Sequence, residues 1–253
     1  VGVSGGKDSL VLLSILKKMS ETHNFRIIAV TIDEGIPGYR DEALEIVKSF
    51  CSKLDVEFRT YSYKELYDVT LSESLELRDE EKTTSCSICG IFRRRALDHA
   101  AEELGANVIA TGHNLDDSLQ TFLINTLSGD SNKIGWMSPG SDSKQIRKIK
   151  PLAEIYESEI VFYAFTNNLP FQTEPCPHMN EGIRTEIREF LNSIEDKHSG
   201  IKNNMYRSII KISEVMKDSS FKEKRICTNC GNQCTGKICA VCNMITDLKK
   251  ERS

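Results

Sequence analysis

The sequence predicts an α/β fold with a parallel, doubly wound sheet, a helical extension and a small cysteine-rich module at the C-terminus. Three observations lead to this prediction. Short apolar runs alternate with helical stretches over the first half of the chain, a glycine turn follows the first run, and four closely spaced cysteines lie near residue 240. Strands that are separated by helices form parallel sheets with right-handed crossovers.

The elements are predicted in order from residue types and from the spacing of apolar residues. Strands are expected at 1–3, 26–32, 56–61 and 106–110, and helices at 9–19, 40–54, 89–104, 116–127, 154–166, 182–192 and 201–216. We therefore divide the chain into a nucleotide-binding domain (1–150), a helical extension that contains Cys176 (151–222) and a cysteine module (223–253).

Composition limits the class of protein. The 253 residues are 39% hydrophobic and 28% charged, which is typical of a globular protein in water. No apolar run approaches the roughly 20 residues that span a bilayer and no signal peptide is visible, so we expect a cytoplasmic protein without membrane contact. The chain begins inside a predicted strand and without Met, so we expect residues upstream of Val1.

Charge is unevenly distributed. The net charge of −4 argues against a uniformly basic coat for nucleic acid. Basic runs nevertheless occur at 93–95, 144–150 and 222–225, beside an acidic run at 73–81. A local basic face can hold a polyphosphate backbone, although such runs are also common on ordinary solvated surfaces.

The loop after the first strand is the strongest functional signal. Directly behind Val3 the sequence reads Ser4-Gly5-Gly6-Lys7-Asp8-Ser9 and then continues as a helix. Such a turn directs backbone N–H groups and a helix N-terminus at one point, where a phosphate binds, and the Lys adds a positive charge. The spacing is not that of a Walker A loop. We predict that Val3 and the six loop residues bind ATP.

Two further loops leave the same edge of the predicted sheet. Asp33 ends the second strand, where a carboxylate suits a ribose or adenine contact, or only a turn. Gly112 precedes the paired carboxylates Asp116 and Asp117, which are suited to Mg²⁺ binding or acid–base chemistry. Either Asp is also a common helix N-cap, and His113 could simply hydrogen-bond within the loop.

Three cysteines form a second candidate site. Cys86 and Cys89 are spaced CxxC at a predicted helix N-terminus next to Arg93, which predicts lowered thiol pKa values. The pair could be a redox couple, two ligands of one metal, or two ligands of an iron–sulfur cluster. Cys176, in Pro-Cys-Pro, supplies a third thiol unless it is only a buried residue. Three thiols would leave one iron of a [4Fe–4S] cluster open, and His178 is a weaker candidate for a fourth ligand.

The C-terminal cysteines predict a structural metal site. Cys227 and Cys230 form one CxxC and Cys239 and Cys242 another, eight residues apart, with Cys234 left over. Two such pairs form a four-thiolate Zn²⁺ site. A segment this short has too little apolar surface to fold without the metal.

These motifs together resemble one family. SGGKDS resembles the loop of the ATP pyrophosphatase superfamily, which has an adenine nucleotide alpha hydrolase-like fold. With DEGIPGYR, CSICGIFRRR, TGHNLDD, RKIKPL, PCP and the terminal cysteine pairs, the chain resembles the TtcA/TtuA family of tRNA 2-thiolation enzymes, in its archaeal and eukaryotic cytosolic branch. Members usually carry another zinc knuckle before the loop, and a small residue or Pro where Cys234 stands.

The resemblance implies an activity. ATP would lie over the glycine loop, with Asp33 near the nucleoside and Gly112 near the phosphates. The O2 atom of a tRNA uridine would attack the α-phosphorus, Mg²⁺ and Lys7 would stabilise the pyrophosphate that leaves, and sulfur would displace AMP. Arg93 would hold phosphate or RNA, Asp117 would position Mg²⁺ or manage a proton, and a cluster on Cys86, Cys89 and Cys176 would deliver the sulfur.

Several alternatives stay open at this point. The thiols could form a persulfide and disulfide pair without a cluster. The enzyme could be another superfamily member, such as an amidating ligase or a lysidine-type tRNA synthetase. It could also be an ATP-sensing zinc protein that binds RNA without catalysis. Position 34 of the tRNA is favoured over position 54, the sulfur donor is sulfide or a thiocarboxylated ubiquitin-like carrier, and relatives form homodimers.

Overall fold

The computed structural model describes residues 1–79, 83–137, 146–178, 183–220 and 225–250. Parts of the predicted runs at 73–81, 144–150 and 222–225, and residue 182 of a predicted helix, lie outside these residues. The described elements are α1 (Lys7–Ser20), β1 (Ile28–Asp33), α2 (Tyr39–Leu54), β2 (Glu57–Ser62), α3 (Tyr63–Tyr67), α4 (Leu71–Glu76), α5 (Ser85–Glu103), β3 (Val108–Ala110), α6 (Leu115–Leu127), α7 (Ser131–Gly135), β4 (Arg147–Ile149), α8 (Glu157–Thr166), α9 (Arg184–Lys197), α10 (Ile201–Ser220), β5 (Arg225–Ile226), β6 (Gln233–Cys234) and α11 (Ala240–Lys250).

The parallel sheet is confirmed. β1 pairs with β2 and β3 pairs with β4, both in parallel. Residues 1–3 lie between the two pairs, because Gly2 forms parallel bridges to Val30 of β1 and to Thr111 just after β3. The spatial order is therefore β2, β1, residues 1–3, β3, β4. The segment before the glycine loop is the centre of the sheet, so the loop leaves from its middle.

β4 was not predicted as a strand. Its sequence, Arg-Lys-Ile, reads as a short basic run, and its pairing with β3 depends on a partner almost forty residues away. Lys148 in this strand forms a 2.7 Å ion pair with Asp98 of α5, whose side chain is 9% exposed. A charged, three-residue strand at the edge of a sheet also discourages pairing with another chain.

The helices cover the sheet and connect the extension to it. In α1, four consecutive residues from Leu10 to Leu13 are at most 1% exposed, because one side of the helix packs on the sheet and α8 packs against another. α9 and α10 pack on α6 through a cluster of buried aliphatic side chains, which are Leu115, Leu119, Ile187, Leu191 and Ile209. The boundaries of the three predicted domains stay a prediction.

The C-terminal module packs against the main body. β5 and β6 form an antiparallel pair and α11 follows the last cysteine. Val241 and Leu248 of α11 are buried in the same core cluster as Tyr63 and Phe92. Among the helices in the described part of the chain, none combines the length and the apolar character that crossing a membrane requires.

Candidate active site

The glycine loop is shaped for an anion. Gly5 has φ +91°, and a Cβ atom there would lie 2.9 Å from Cβ of Ala43, so only glycine fits. The Ser9 hydroxyl accepts a hydrogen bond from the Ser4 amide (3.1 Å) and donates one to the Gly6 carbonyl (2.9 Å). Gly6 occupies the N-cap position of α1 and has no side chain that could accept a hydrogen bond from the first turn. The backbone amides of that turn can therefore bind a ligand.

Lys7 is held between two carboxylates. Its Nζ atom lies 3.1 Å from Asp8 and 2.6 Å from Glu157 at the start of α8. Burial alone would lower the pKa of Lys7, but Asp8 and Glu157 outweigh it and raise the pKa above its usual value. Lys7 is therefore a fixed positive charge beside the loop. Glu157 was not singled out from the sequence, since nothing local signals a contact across 150 positions.

The third loop lies directly on the first. A Cβ atom on Gly112 would lie 2.9 Å from the Ser9 amide nitrogen and 3.0 Å from the Asp8 carbonyl, so a side chain there would collide with the start of α1. The Asn114 side chain also donates a 2.9 Å hydrogen bond to Asp8. The structure thus brings together two loops that sequence reasoning had proposed separately for ATP.

The paired aspartates divide into two roles. Asp116 is 3% exposed, and its carboxylate accepts hydrogen bonds from Lys202 Nζ (2.5 Å) and from the Glu157 amide (2.9 Å). Those contacts anchor the extension to the loop and favour a structural role. Asp117 forms a reciprocal cap with Asn114, and burial, with Asp8 and Glu157 nearby, raises its pKa. Its part in binding Mg²⁺ or ATP stays a prediction.

His113 lies beside three cations. Its Nδ1 atom is 2.9 Å from the Thr111 hydroxyl. Burial, and after it the positive charges of Lys150, Arg93 and Arg184, lower the pKa of the imidazole from 6.5 to about 4. Between those two values the unfolded chain binds more protons than the folded chain does. The free energy of unfolding should therefore fall as the pH drops from 6.5 to about 4.

We expect His113→Gln to remove this part of the pH dependence. Urea unfolding of both proteins at pH 7, 6 and 5 measures it, because the difference between them isolates the imidazole from the other titrating groups. A difference that does not change with pH would mean that His113 titrates normally in the folded chain.

The second loop contains a buried charge network that was not predicted. Asp33 accepts a 2.8 Å hydrogen bond from the Gly35 amide, which fits a turn, and its contact to ATP stays a prediction. Its neighbour Glu34 is 2% exposed and pairs with Arg40 and Arg93, each at 2.7 Å. No sequence signal distinguishes this buried Glu from the many exposed ones, since its burial depends on how α2 and α5 pack around it.

The CxxC pair occupies the first turns of α5. Cys86 is exposed and Cys89 is half-buried, and Arg93, one turn further on, donates a 3.2 Å hydrogen bond to the Cys89 sulfur. The Tyr63 hydroxyl lies 3.6 Å from the same sulfur. The predicted lowering of the thiol pKa is wrong for Cys89, because burial raises it and outweighs the opposing charge of Arg93.

Cys176 comes to the same place from the extension. It packs in one core cluster with Cys89. Burial raises the pKa of the Cys176 thiol, and a negative charge on Cys86 raises it further. The three thiols do not close around one ion within 4.8 Å. The three thiols are therefore not arranged as the ligands of a single ion, and the iron–sulfur cluster stays a prediction.

The four terminal cysteines do form a closed set. The sulfurs of Cys227, Cys230, Cys239 and Cys242 all lie within 4.8 Å of one another, which fits a single tetrahedral ion. The backbone amides of Cys239 and Cys242 donate to the sulfurs of Cys227 (3.2 Å) and Cys239 (3.4 Å), which stabilises thiolates. Cys234 points elsewhere, with its sulfur 3.0 Å from the Gly236 carbonyl.

Removing a metal from this set should unfold the module alone. We expect a strong chelator, or Cys227→Ser, to make residues 225–250 sensitive to protease, since the metal supplies the folding energy of so short a segment. Cys234→Ser is the matched control and should leave them resistant. Limited proteolysis with mass spectrometry measures both, and a chelated module that stays resistant would contradict the role of a metal.

Comparison with known proteins adds three findings. A family profile described as a PP-loop domain (ATP_bind_3) matches residues 1–195. The chain is 33% identical to the tRNA 2-thiolation protein NcsA of Haloferax volcanii, covering 98% of this chain and 82% of that protein. It is 36% identical to the cytoplasmic tRNA 2-thiolation protein 1 of Drosophila melanogaster, covering 99% and 74%.

A solved structure extends the likeness to the fold. The U34-tRNA thiolase NcsA from Methanococcus maripaludis, determined with its [4Fe–4S] cluster, superimposes with a TM-score of 0.82 at 29% identity. The match covers 98% of this chain and 79% of that one.

Proposed function

This chain belongs to the PP-loop family, among its tRNA 2-thiolation proteins, and on that premise we propose that it is an ATP-dependent tRNA-uridine 2-sulfurtransferase. One observation carries the proposal. Arg93 touches the sulfur of Cys89 and the carboxylate of Glu34, while the same carboxylate binds Arg40, which donates to the carbonyl of Ser4 in the glycine loop. One network of side chains therefore connects the glycine loop to the thiol site.

The ATP half of the reaction follows from the loop. The free amides at the start of α1 and the protonated Lys7 favour the β- and γ-phosphates, and they stabilise the negative charge that develops as pyrophosphate leaves. The O2 atom of uridine forms a bond to the α-phosphorus as the bond to the bridging oxygen breaks. The adenylated base is then the electrophile for sulfur.

Mg²⁺ is expected to join ATP at the glycine loop. Asp8, Asp117 and Glu157 lie close enough to influence each other's charge, and hard oxygen ligands of this kind suit Mg²⁺. Lys7 lies between two of them and offsets their repulsion while ATP is absent.

The sulfur half depends on the three thiols. Cys86, Cys89 and Cys176 would hold a [4Fe–4S] cluster. Cys86 is exposed and the other two are half-buried, which fits a group that must meet a substrate. When bound, such a cluster supplies an iron that has no protein thiolate and can carry sulfur. Arg93 keeps positive charge beside Cys89, which favours its thiolate and any phosphate nearby.

Substrate and partners are proposed from the relatives. The target base is the wobble uridine at position 34, which the name of the Methanococcus thiolase supports. A loop nucleotide is unstacked at little cost, so it can enter a pocket. We propose a cytoplasmic enzyme, in line with the name of the Drosophila relative, with Zn²⁺ on the terminal cysteines, sulfide or a thiocarboxylated carrier as donor, and a homodimer as the assembly.

The test combines the two half-reactions. Purified without air and supplied with ATP, Mg²⁺, sulfide and unmodified tRNA, the chain should release pyrophosphate only when tRNA is present and should form 2-thiouridine at position 34, detected by mass spectrometry of digested RNA. ATP and tRNA binding without either product would make it an ATP-sensing RNA-binding protein instead.

A further inference from the structure

Glu34 is a buried carboxylate between two guanidinium groups. It follows β1 directly, and its side chain is 2% exposed. Its Oε2 atom lies 2.7 Å from Arg40 Nε, and its Oε1 atom lies 2.7 Å from Arg93 Nη2. The single carboxylate of Glu34 thus pairs with two guanidinium groups, one from α2 and one from α5.

Arg40 connects this carboxylate to the glycine loop. Its side chain is 5% exposed and donates hydrogen bonds to the carbonyls of Ser4 (2.9 Å) and Ile32 (2.8 Å). Ser4 is the first residue of the loop, so Arg40 fixes the backbone from which the phosphate-binding amides start. A buried guanidinium holds such a position only with an anionic partner, and Glu34 is that partner.

Arg93 connects the same carboxylate to the thiol site. The Nη2 atom that binds Glu34 also lies 3.2 Å from the sulfur of Cys89. The Arg93 side chain is 47% exposed, and a long side chain in that position would otherwise sample several rotamers. A buried acceptor on one side restricts the guanidinium to the orientation in which it meets the sulfur.

We propose that Glu34 is a positioning residue that sets the glycine loop and the Cys89 sulfur in fixed relation to each other. It acts through Arg40 on the loop and through Arg93 on the thiol site, and the three groups together carry a net charge of +1. The inference rests on the proposed function, because it assumes that the loop binds ATP and that the thiols bind a cluster.

The design separates the two arms of the network. Glu34→Gln keeps the size of the side chain and removes its charge. Arg40→Gln removes only the contact to the glycine loop, and Arg93→Gln removes only the contact to the thiol site. Asp98→Asn is the matched control, since Asp98 is a buried carboxylate on α5 that pairs with Lys148. Three quantities are measured: the Kd for Mg·ATP by calorimetry on the iron-free chain, the iron and sulfide retained after anaerobic reconstitution, and the melting temperature.

Glu34→Gln should affect both sites. We expect its Kd for Mg·ATP to rise about tenfold and its retained iron to fall below about half. Arg40→Gln should reproduce the loss of ATP affinity and keep its iron, and Arg93→Gln should reproduce the loss of iron. The double variant Glu34→Gln/Arg93→Gln should retain as much iron as Arg93→Gln alone. If Glu34 acts on the thiol site only through Arg93, the effects of the two substitutions do not add.

A purely structural role gives a different pattern. Asp98→Asn should lower the melting temperature while Mg·ATP and iron bind as in the wild type. If Glu34→Gln likewise lowers only the melting temperature, or changes nothing, the inference is wrong although the proposed function stands. If the wild-type chain itself binds neither Mg·ATP nor iron, the proposed function fails, and this inference fails with it.

Discussion

Cys176→Ala is expected to abolish thiolation while the chain still binds Mg·ATP. Cys176 is the one thiol of the proposed cluster that comes from the extension, and it packs on the same core cluster as Cys89. A loss of about a thousandfold or more in rate is expected, equivalent to about 4 kcal/mol of activation free energy. Anaerobic purification followed by iron, sulfide and zinc analysis, with a thiolation assay, measures the effect.

The metal contents of the wild type and the variant distinguish a cluster from a persulfide pair. The wild type should carry about four irons and four sulfides per chain beside about one zinc, and the variant should lose the iron and keep the zinc. Cys51→Ala is the matched control, since Cys51 is a buried thiol in a different core cluster, and it should retain activity. A wild type that contains only zinc and thiolates tRNA fully would favour a persulfide pair without a cluster.

Gly6→Ala is expected to weaken ATP binding strongly without harming the fold. Gly6 has φ −78° and ψ 158°, which any residue adopts, and a Cβ atom there would meet nothing closer than Ser4 Oγ at 3.6 Å. The folded chain therefore accepts Ala, and its stability should stay the same or rise by up to about 1 kcal/mol. A phosphate bound to the amides of the loop would collide with the methyl group, so affinity should fall about a hundredfold.

Two other glycines make the result specific. Gly5→Ala should lower the melting temperature, because of its positive φ and the approach to Ala43. Gly236→Ala, in the cysteine module, should change neither stability nor ATP affinity, since its nearest neighbour would be 3.4 Å away. Calorimetric titration with Mg·ATP and thermal unfolding compare the three variants. Normal ATP binding by Gly6→Ala would mean that phosphate does not lie over this part of the loop.

Much of the fold was predictable because its signals are local. The first helix, the second strand and the glycine turn were found at or near their positions, since apolar spacing and turn residues act within a few positions of each other. β4 was missed because its three residues gain strand structure only by pairing with β3. The short helices α3 and α4 were missed too, although Ser62 and Thr70 form capping boxes that signal a helix start.

By itself, the sequence predicted the chemistry that we propose for this protein: a glycine loop for phosphate, three thiols for a cluster and four cysteines for a separate metal. Those follow from residue type and close spacing, which the chain carries in one dimension. Only the tertiary structure decided which of these residues meet. Lys7 is paired with Glu157, Asp116 is engaged by Lys202, and Glu34 joins two arginines from different helices. Such contacts depend on where whole elements pack, because their partners come from different elements and a buried charge such as Asp116 or Glu34 needs a partner of opposite charge.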